Sequence, residues 1–184
     1  MRLFIAVNIQ DEVKEKITGL QARLKRALCD VKWVAGGRFH LTLKFLGEVP
    51  EERLPEIYAA LSESLLGFQA FKVSVKGAGA FPDIARPKVV WAGITDGALE
   101  LCALAARLDK NFEKLGFARE KRLFSPHLTL GRVRSVKNIS ALAKKITALQ
   151  DVQAGCFTAA GVDLMQSILR PEGPQYLCLR SNSI

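Results

Sequence analysis

The tetrapeptide His-Leu-Thr-Leu, called the HLTL motif below, occurs at residues 40–43 and again at 127–130. The two copies contain both histidines of the chain and lie 87 residues apart, about half of its 184 residues. The β-branched and aromatic residues around each copy, in "RFHLTLKFLGEV" and "FSPHLTLGRVRSV", favour a strand over a helix. The repetition therefore predicts a fold that is built from two similar halves.

The surrounding sequence alternates between strand and helix patterns. The order strand, helix, HLTL strand, helix, strand occurs about twice, and apolar residues at spacings of three and four mark each helix. In the first predicted helix these residues are Val13, Ile17, Leu20, Leu24 and Leu28. The other helices are predicted near 52–66, 101–115 and 139–149, and the last strands near 156–165 and 175–180. No Pro-, Gly- or Ser-rich linker divides the chain, so we expect one α+β domain over 1–184, made of two pseudo-symmetric lobes.

Composition limits the classes of function only loosely. A net charge of +9 suggests a polyanionic partner, although many basic proteins use lysine for solubility. The four cysteines form no CxxC pair, which gives no pattern for a zinc or redox site and suits the cytoplasm. No segment approaches the roughly 20 apolar residues of a membrane span, and the apolar run at the N-terminus is too short for a signal peptide. We expect a soluble cytoplasmic protein without a membrane partner, and no obligatory protein partner is evident.

The HLTL motif places two kinds of chemistry on one face of a strand. Side chains two residues apart point to the same side, so His40 and Thr42 share one face, as do His127 and Thr129, while the leucines face a core. If the halves pack with approximate two-fold symmetry, the two histidines lie on opposite sides of one ligand. One imidazole can then take a proton from an attacking oxygen while the other donates one to a leaving oxygen at phosphorus. The threonine hydroxyls can donate hydrogen bonds to the phosphate oxygens.

Two cations near the motifs are further candidates for phosphate binding. Lys44 continues the alternation of His40 and Thr42 and could face the phosphate, but an exposed structural lysine at the end of the strand is the alternative. Arg132 follows His127 by five residues, which is the wrong parity for a regular strand. Gly131 could permit a bulge that turns Arg132 toward the site.

Other interpretations of these residues remain. A single histidine two residues before a threonine is common in strands and is more often a surface residue, but two copies that hold every histidine of the chain favour catalysis. Two histidines without a carboxylate or cysteine in either motif make an incomplete set of metal ligands, so no metal and no cofactor is expected. Several aromatic residues near the motifs could stack on a base, but most are typical of core packing, and none is selected: Trp33, Phe39, Phe45, Phe81, Trp91 and Phe124.

The chain resembles the two-histidine (2H) phosphoesterase superfamily, and within it the RNA 2′,3′-cyclic phosphodiesterases, also called 2′-5′ RNA ligases. The resemblance runs nearly end to end. It rests on the paired HxTx motifs and on the segments "RLFIAV", "GAGAFP", "RPKVVWAGI", "GFAREKRLFSPHLTLGRV" and "SILRPEGPQY". It implies a bilobal α+β fold in which two antiparallel sheets line a central groove and the helices lie outside.

The resemblance also implies a reaction and its residues. The expected activity is metal-independent hydrolysis of a 2′,3′-cyclic phosphate at an RNA or oligonucleotide end, which leaves a 2′-phosphate. In this family the first histidine protonates the leaving 3′ oxygen and the second activates water, which makes His40 the proton donor and His127 the proton acceptor. Thr42, Thr129 and Arg132 would bind the phosphate.

Three alternatives stay open from the sequence. The chain could bind RNA without turning it over, or it could hydrolyse the cyclic phosphate of a small metabolite instead of RNA. Some relatives also join RNA ends through a 2′-5′ linkage, and the sequence leaves that activity open here.

Overall fold

The computed structural model describes residues 1–171 and 173–184 and contains four helices and nine strands within them. The helices are α1 (Asp11–Lys25), α2 (Leu54–Leu65), α3 (Ala98–Glu113) and α4 (Ile139–Ala148). The strands are β1 (Arg2–Asn8), β2 (Val31–Trp33), β3 (His40–Glu48), β4 (Phe71–Phe81), β5 (Val89–Ile94), β6 (His127–Val133), β7 (Gln153–Ala159), β8 (Gly161–Arg170) and β9 (Gly173–Ser183). These elements form an α+β fold, as the sequence predicts.

The strands form two antiparallel sheets. The first sheet has the order β3-β1-β8-β9, and the second has the order β2-β6-β5-β4-β7. Each sheet therefore contains one HLTL strand, β3 in the first and β6 in the second. These two strands are in contact with each other, which brings the motifs from two distant parts of the sequence to one place.

The sheets do not follow the two halves of the sequence. β4 follows the first pair of helices along the chain, yet it pairs with β5 and β7 in the second sheet. β8 and β9 follow the last helix, yet β8 pairs with β1 in the first sheet. The chain thus crosses between the sheets, and each sheet needs strands from both halves.

One continuous apolar cluster fills the interior. It takes residues from all four helices and from both sheets, for example Ile17, Ile57, Leu104, Ile146 and Leu41. The leucines of both motifs belong to it, because Leu41, Leu43, Leu128 and Leu130 are each at most 3% exposed. This burial leaves the histidine and threonine of each motif on the opposite face of their strand.

Two local expectations from the sequence are wrong. α1 ends at Lys25, and Leu28 lies beyond it with a positive φ of 53° and 74% of its surface exposed, so it does not extend the buried face of the helix. The strand expected near 156–165 is two strands, β7 and β8, because the chain turns at Ala160 and passes from the second sheet to the first.

No described helix combines the length and the apolar character that would let it cross a membrane.

Candidate active site

A β-bulge occurs at the same place in both HLTL strands and decides which side chains face the site. Two neighbouring residues of β1 pair with Thr42 and Lys44 of β3, so Leu43 between them has no pairing partner. Two neighbouring residues of β5 likewise pair with Thr129 and Gly131 of β6, so Leu130 between them has no pairing partner. A bulge inserts one extra residue, so every side chain after it moves to the other face of the strand.

The bulge in β6 turns Arg132 toward the site. Gly131 is buried and Arg132 is exposed, so Arg132 shares the face of His127 and Thr129 despite its odd spacing. Gly131 fits this position because a Cβ there would lie 2.6 Å from Val31 Cγ1 and 2.8 Å from Trp33 Cε3 of β2. The structure thus has the bulge that the sequence made possible.

The bulge in β3 turns Lys44 away from the site, which corrects the expectation that Lys44 faces the phosphate. Lys44 is only 2% exposed, and its Nζ donates to Asp109 of α3 at 2.5 Å and to the Ala118 carbonyl oxygen at 3.0 Å. It is also not the exposed lysine of the alternative interpretation. The position that Arg132 occupies in β6 is taken by Phe45 in β3.

The sequence contained a signal for one of the two bulges. In the first motif apolar residues lie at 41, 43, 45 and 46, so Phe45 continues the spacing of two and hides the bulge of β3. In the second motif apolar residues lie at 128, 130 and 133, so their spacing changes from two to three. Such a change marks an extra residue in a strand whose one face stays buried.

Each histidine is oriented by a backbone carbonyl two residues before it. His40 Nδ1 donates to the Arg38 oxygen at 2.9 Å, and His127 Nδ1 donates to the Ser125 oxygen at 2.7 Å. Because a carbonyl oxygen can only accept, the proton lies on Nδ1 in both neutral rings. The Nε2 atoms are therefore the nitrogens that can exchange protons with a ligand.

An aromatic ring packs edge-on against each imidazole. Tyr176 of β9 contacts His40, and Phe81 of β4 contacts His127, both at 4.9 Å between ring centroids with interplanar angles of 84° and 85°. Phe4 of β1 packs against His40 as well, at 4.9 Å. These contacts fix the ring planes. Tyr176 and Phe4 were missed from the sequence, because nothing in their local sequence distinguishes them from core residues.

Trp91 is a second aromatic residue at the second motif, beside Phe81. It lies opposite Thr129 in the pairing of β5 with β6, and its indole covers Gly79 so closely that a Cβ there would overlap the ring. Its Nε1–H is buried and lacks a hydrogen-bond partner within the residues described. Buried donors are normally paired, so this N–H is an exception beside the second motif.

Burial lowers the pKa of both histidines below the ordinary value of 6.5. Removal of water from around each ring disfavours the charged form, and the carbonyl on Nδ1 only partly offsets this effect. The positive charge of Arg132 lowers the pKa of His127 further. The two imidazoles thus differ in their electrostatic surroundings although their geometry is similar.

The surroundings of Tyr176 include cations from both sheets. Burial raises the pKa of its hydroxyl, while three arginines lower that pKa: Arg38, just before β3, Arg132 of the second sheet and Arg2 of the first. Arg132 is therefore close enough to act on a ring that packs against His40. β3 and β6 are also in contact, so the two motifs lie on neighbouring strands, and the space between these strands is called the groove below.

A pocket of about 270 Å³ opens beside His40. Its walls combine rings and apolar groups with amides and cations: Phe39, His40, Met165, Tyr176, Asn8, Gln175, Lys14, Arg38 and Gly37. Such a mixture suits a ligand with a flat apolar ring and polar edges. No group of three or more His, Cys, Asp or Glu side chains that could hold a metal ion is found among residues 1–171 and 173–184.

Comparison with known proteins places this groove in a family. The model of LigT-like phosphoesterases matches residues 7–91 and 94–176, and the HLTL histidine lies 33 residues after the start of each segment, at 40 and at 127. A protein of Archaeoglobus fulgidus named RNA 2′,3′-cyclic phosphodiesterase is 41% identical over 181 residues, which cover 98% of each chain. A protein of Methanothermobacter thermautotrophicus with the same name is 38% identical over 176 residues, covering 96% of this chain and 95% of the relative.

Solved structures share the whole fold. A protein of Thermus thermophilus superposes with a TM-score of 0.82 at 30% identity, covering all of this chain and 97% of the other. The Escherichia coli LigT protein, solved with 3′-AMP, superposes with a TM-score of 0.79 at 24% identity, covering all of this chain and 97% of the other.

Proposed function

Because this chain belongs to the LigT-like phosphoesterase family, we propose that it hydrolyses the 2′,3′-cyclic phosphate at the end of an RNA strand and leaves a 2′-phosphate. The observation that carries the proposal is the pair of imidazoles on two strands that are in contact, each with Nδ1 held by a carbonyl and Nε2 available for proton exchange. The names of the relatives support the substrate class.

The proposed reaction needs two proton transfers at one phosphorus atom. Water attacks the phosphorus while His127 Nε2 accepts its proton, a new P–O bond forms, and the bond from phosphorus to the 3′ oxygen breaks. His40 Nε2 donates a proton to that leaving oxygen. The bond to the 2′ oxygen remains, and solvent returns both histidines to their starting protonation states.

The charges of the groove fit this division of roles. A general base must start neutral, and Arg132 disfavours the charged form of His127. The same guanidinium, together with the Thr42 and Thr129 hydroxyls, can donate hydrogen bonds to the non-bridging phosphate oxygens, where negative charge gathers during the reaction. The pocket beside His40 would hold the terminal nucleoside, because the leaving oxygen and its ribose lie on that side.

The test is a hydrolysis assay with a nucleoside 2′,3′-cyclic phosphate in the presence of EDTA. We expect the wild-type protein to release a 2′-phosphate, identified by chromatography against both isomers. His40→Ala and His127→Ala should each lower kcat by about 10² to 10⁴, the usual contribution of a general acid or base. A 3′-phosphate product, or near-normal hydrolysis by either folded variant, would refute the assignment.

A second pair of variants tests the phosphate contacts. Thr42→Ala and Thr129→Ala should each lower kcat by about 10², because a hydrogen-bond donor to the developing charge is lost. Thr147→Ala removes a similar hydroxyl from the exposed side of α4 and should leave kcat unchanged. If the three variants behave alike, the motif threonines do not bind the phosphate.

A further inference from the structure

A larger pocket lies beyond the catalytic groove, at the far end of β3. It has a volume of about 550 Å³, within the usual range for ligand sites. Phe45, Leu46 and Gly47 form one wall, and the loop from Phe117 to Arg122 forms the other. None of the histidines, threonines or Arg132 contributes to it, so its ligand would not be the reacting phosphate itself.

A row of aromatic rings connects this pocket with His40. The ring of Phe4 lies 4.9 Å from His40, and the ring of Phe45 lies 6.1 Å from Phe4. Phe4 is only 3% exposed and cannot receive a base, whereas Phe45 is 58% exposed. Phe45 is therefore the ring in this row that can stack on a base. It lies further from the reacting phosphate than the terminal nucleoside would.

The loop wall of the pocket is basic and is held in place. It contributes Arg119, Lys121 and Arg122 against the single carboxylate of Glu120. Within the described chain, the ion pairs of this loop are limited to Arg119 with Glu113, at 2.9 Å, which leaves the other two cations for a ligand.

Two contacts anchor the backbone of the same loop. The Asp109 carboxylate accepts from the Glu120 N–H at 3.2 Å, and Lys44 donates to the Ala118 carbonyl. These two contacts hold the main chain next to the cations, so the loop keeps its basic side chains at the pocket.

We propose that this pocket binds the nucleotide that precedes the terminal cyclic-phosphate nucleotide of an RNA strand. Its base stacks on Phe45, and the phosphate that joins the two nucleotides lies against Lys121 and Arg122. An exposed aromatic ring beside cations is the usual platform for single-stranded nucleic acid. This inference rests on the proposed function and adds to it that the enzyme prefers an RNA end to a mononucleotide.

The first experiment compares two substrates that end in the same nucleoside 2′,3′-cyclic phosphate, one a mononucleotide and one a dinucleotide. We expect Phe45→Ala to lower kcat/KM for the dinucleotide about tenfold, since stacking on one ring contributes roughly 1–3 kcal/mol. The mononucleotide should be hydrolysed as by the wild type. Phe45→Trp keeps a stacking surface and should retain the advantage of the dinucleotide.

The second experiment tests the charges. Lys121→Gln combined with Arg122→Gln should lower the magnitude of the slope of log kcat/KM against log salt concentration for the dinucleotide, because the screened attraction between these cations and the linking phosphate is lost. Lys144→Gln combined with Lys145→Gln removes the same charge from the exposed side of α4 and should leave this slope unchanged.

The outcomes separate this inference from the proposed function. Equal kcat/KM for both substrates in the wild type would overturn the second nucleotide site alone, as expected if the pocket serves a protein partner. An equal loss on both substrates in Phe45→Ala would also overturn it, because Phe45 would then hold the terminal nucleoside. If the wild type hydrolyses neither substrate, the proposed function fails and this inference fails with it.

Discussion

The two histidines are matched in geometry but not in charge. Both donate from Nδ1 to a carbonyl, and both pack against an aromatic edge, yet Arg132 acts on His127. In an otherwise similar pair, one nearby guanidinium distinguishes the proposed base from the proposed acid.

The lowered pKa values predict an acidic pH optimum. As the proposed base, His127 becomes active when it loses its proton, and as the proposed acid, His40 becomes inactive when it loses its own. The pKa of each is lowered below 6.5. We therefore expect a bell-shaped profile of kcat/KM with its maximum below about pH 6.5. A profile centred well above neutral pH would contradict the observed burial.

Arg132→Gln should move this profile. A nearby cation lowers the pKa of His127, so its removal raises that pKa and shifts the acidic limb to higher pH. The position of the limb is the readout, because the rate itself also falls when a phosphate contact is lost. Lys145→Gln, which removes an exposed charge from α4, should leave the limb in place.

Lys44 has a structural role, but it is a buried one, whereas the sequence indicated either a phosphate contact or an exposed structural lysine. We expect Lys44→Met to lower the free energy of unfolding by about 3–5 kcal/mol, because the mostly buried Asp109 carboxylate loses its cation. Lys72→Met, which breaks the exposed pair with Asp96, should cost less than about 1 kcal/mol. Urea denaturation measures both. Full stability of Lys44→Met together with lost hydrolysis would instead support a phosphate contact.

The bulge is the feature of each HLTL strand that shapes the groove. One inserted residue places Arg132 on the same face of β6 as His127 and places Phe45 on the open face of β3, where it lines the larger pocket, while Lys44 and Gly131 go to the buried side. The same local device therefore adds a cation at one motif and an aromatic ring at the other.

Gly131→Ala tests the bulge in β6. The added Cβ would meet Val31 and Trp33 at less than 3.0 Å, so β2 or the bulge must shift. We expect a loss of about 1–3 kcal/mol in the free energy of unfolding, as for overpacked interiors, and a fall in kcat as Arg132 moves. Gly19→Ala is the control, because its Cβ would have no neighbour within 4 Å and alanine favours the helix. Equal stability of the two variants would show that β2 adapts without cost.

The exchange of strands between the halves makes the molecule depend on its whole chain. A fragment of residues 1–84 has only β3 and β1 for the first sheet, and two strands alone are marginally stable. We expect fragments 1–84 and 85–184 to lack a cooperative thermal transition by circular dichroism and to recover one when mixed. A sharp transition in either fragment alone would show an independently folding lobe, so the prediction of one domain over 1–184 can be tested in this way.

Local patterns were sufficient for the parts of the fold that repeat. The spacing of apolar residues predicted the helices because their buried faces are set by neighbours along the chain, and Gly67 and Gly116 follow α2 and α3 with φ of +80° and +83°. The prediction for Leu28 was wrong because an apolar residue at the right spacing does not by itself extend a helix beyond its last packed turn. The faces of Lys44 and Arg132 depended on bulges, which alternation alone does not reveal.

The sequence by itself determined the family, the α+β class and the four motif side chains. A motif repeated in two strands specifies both the reactive side chains and the face of the strand that they share. The tertiary structure decided which groups join them. Pairing between distant strands brings three aromatic rings to the histidines, those of Tyr176, Phe81 and Phe4. Lys44 binds Asp109, which lies on a helix 65 residues further along the chain. These contacts arise from the order of strands in each sheet, and no local pattern encodes that order.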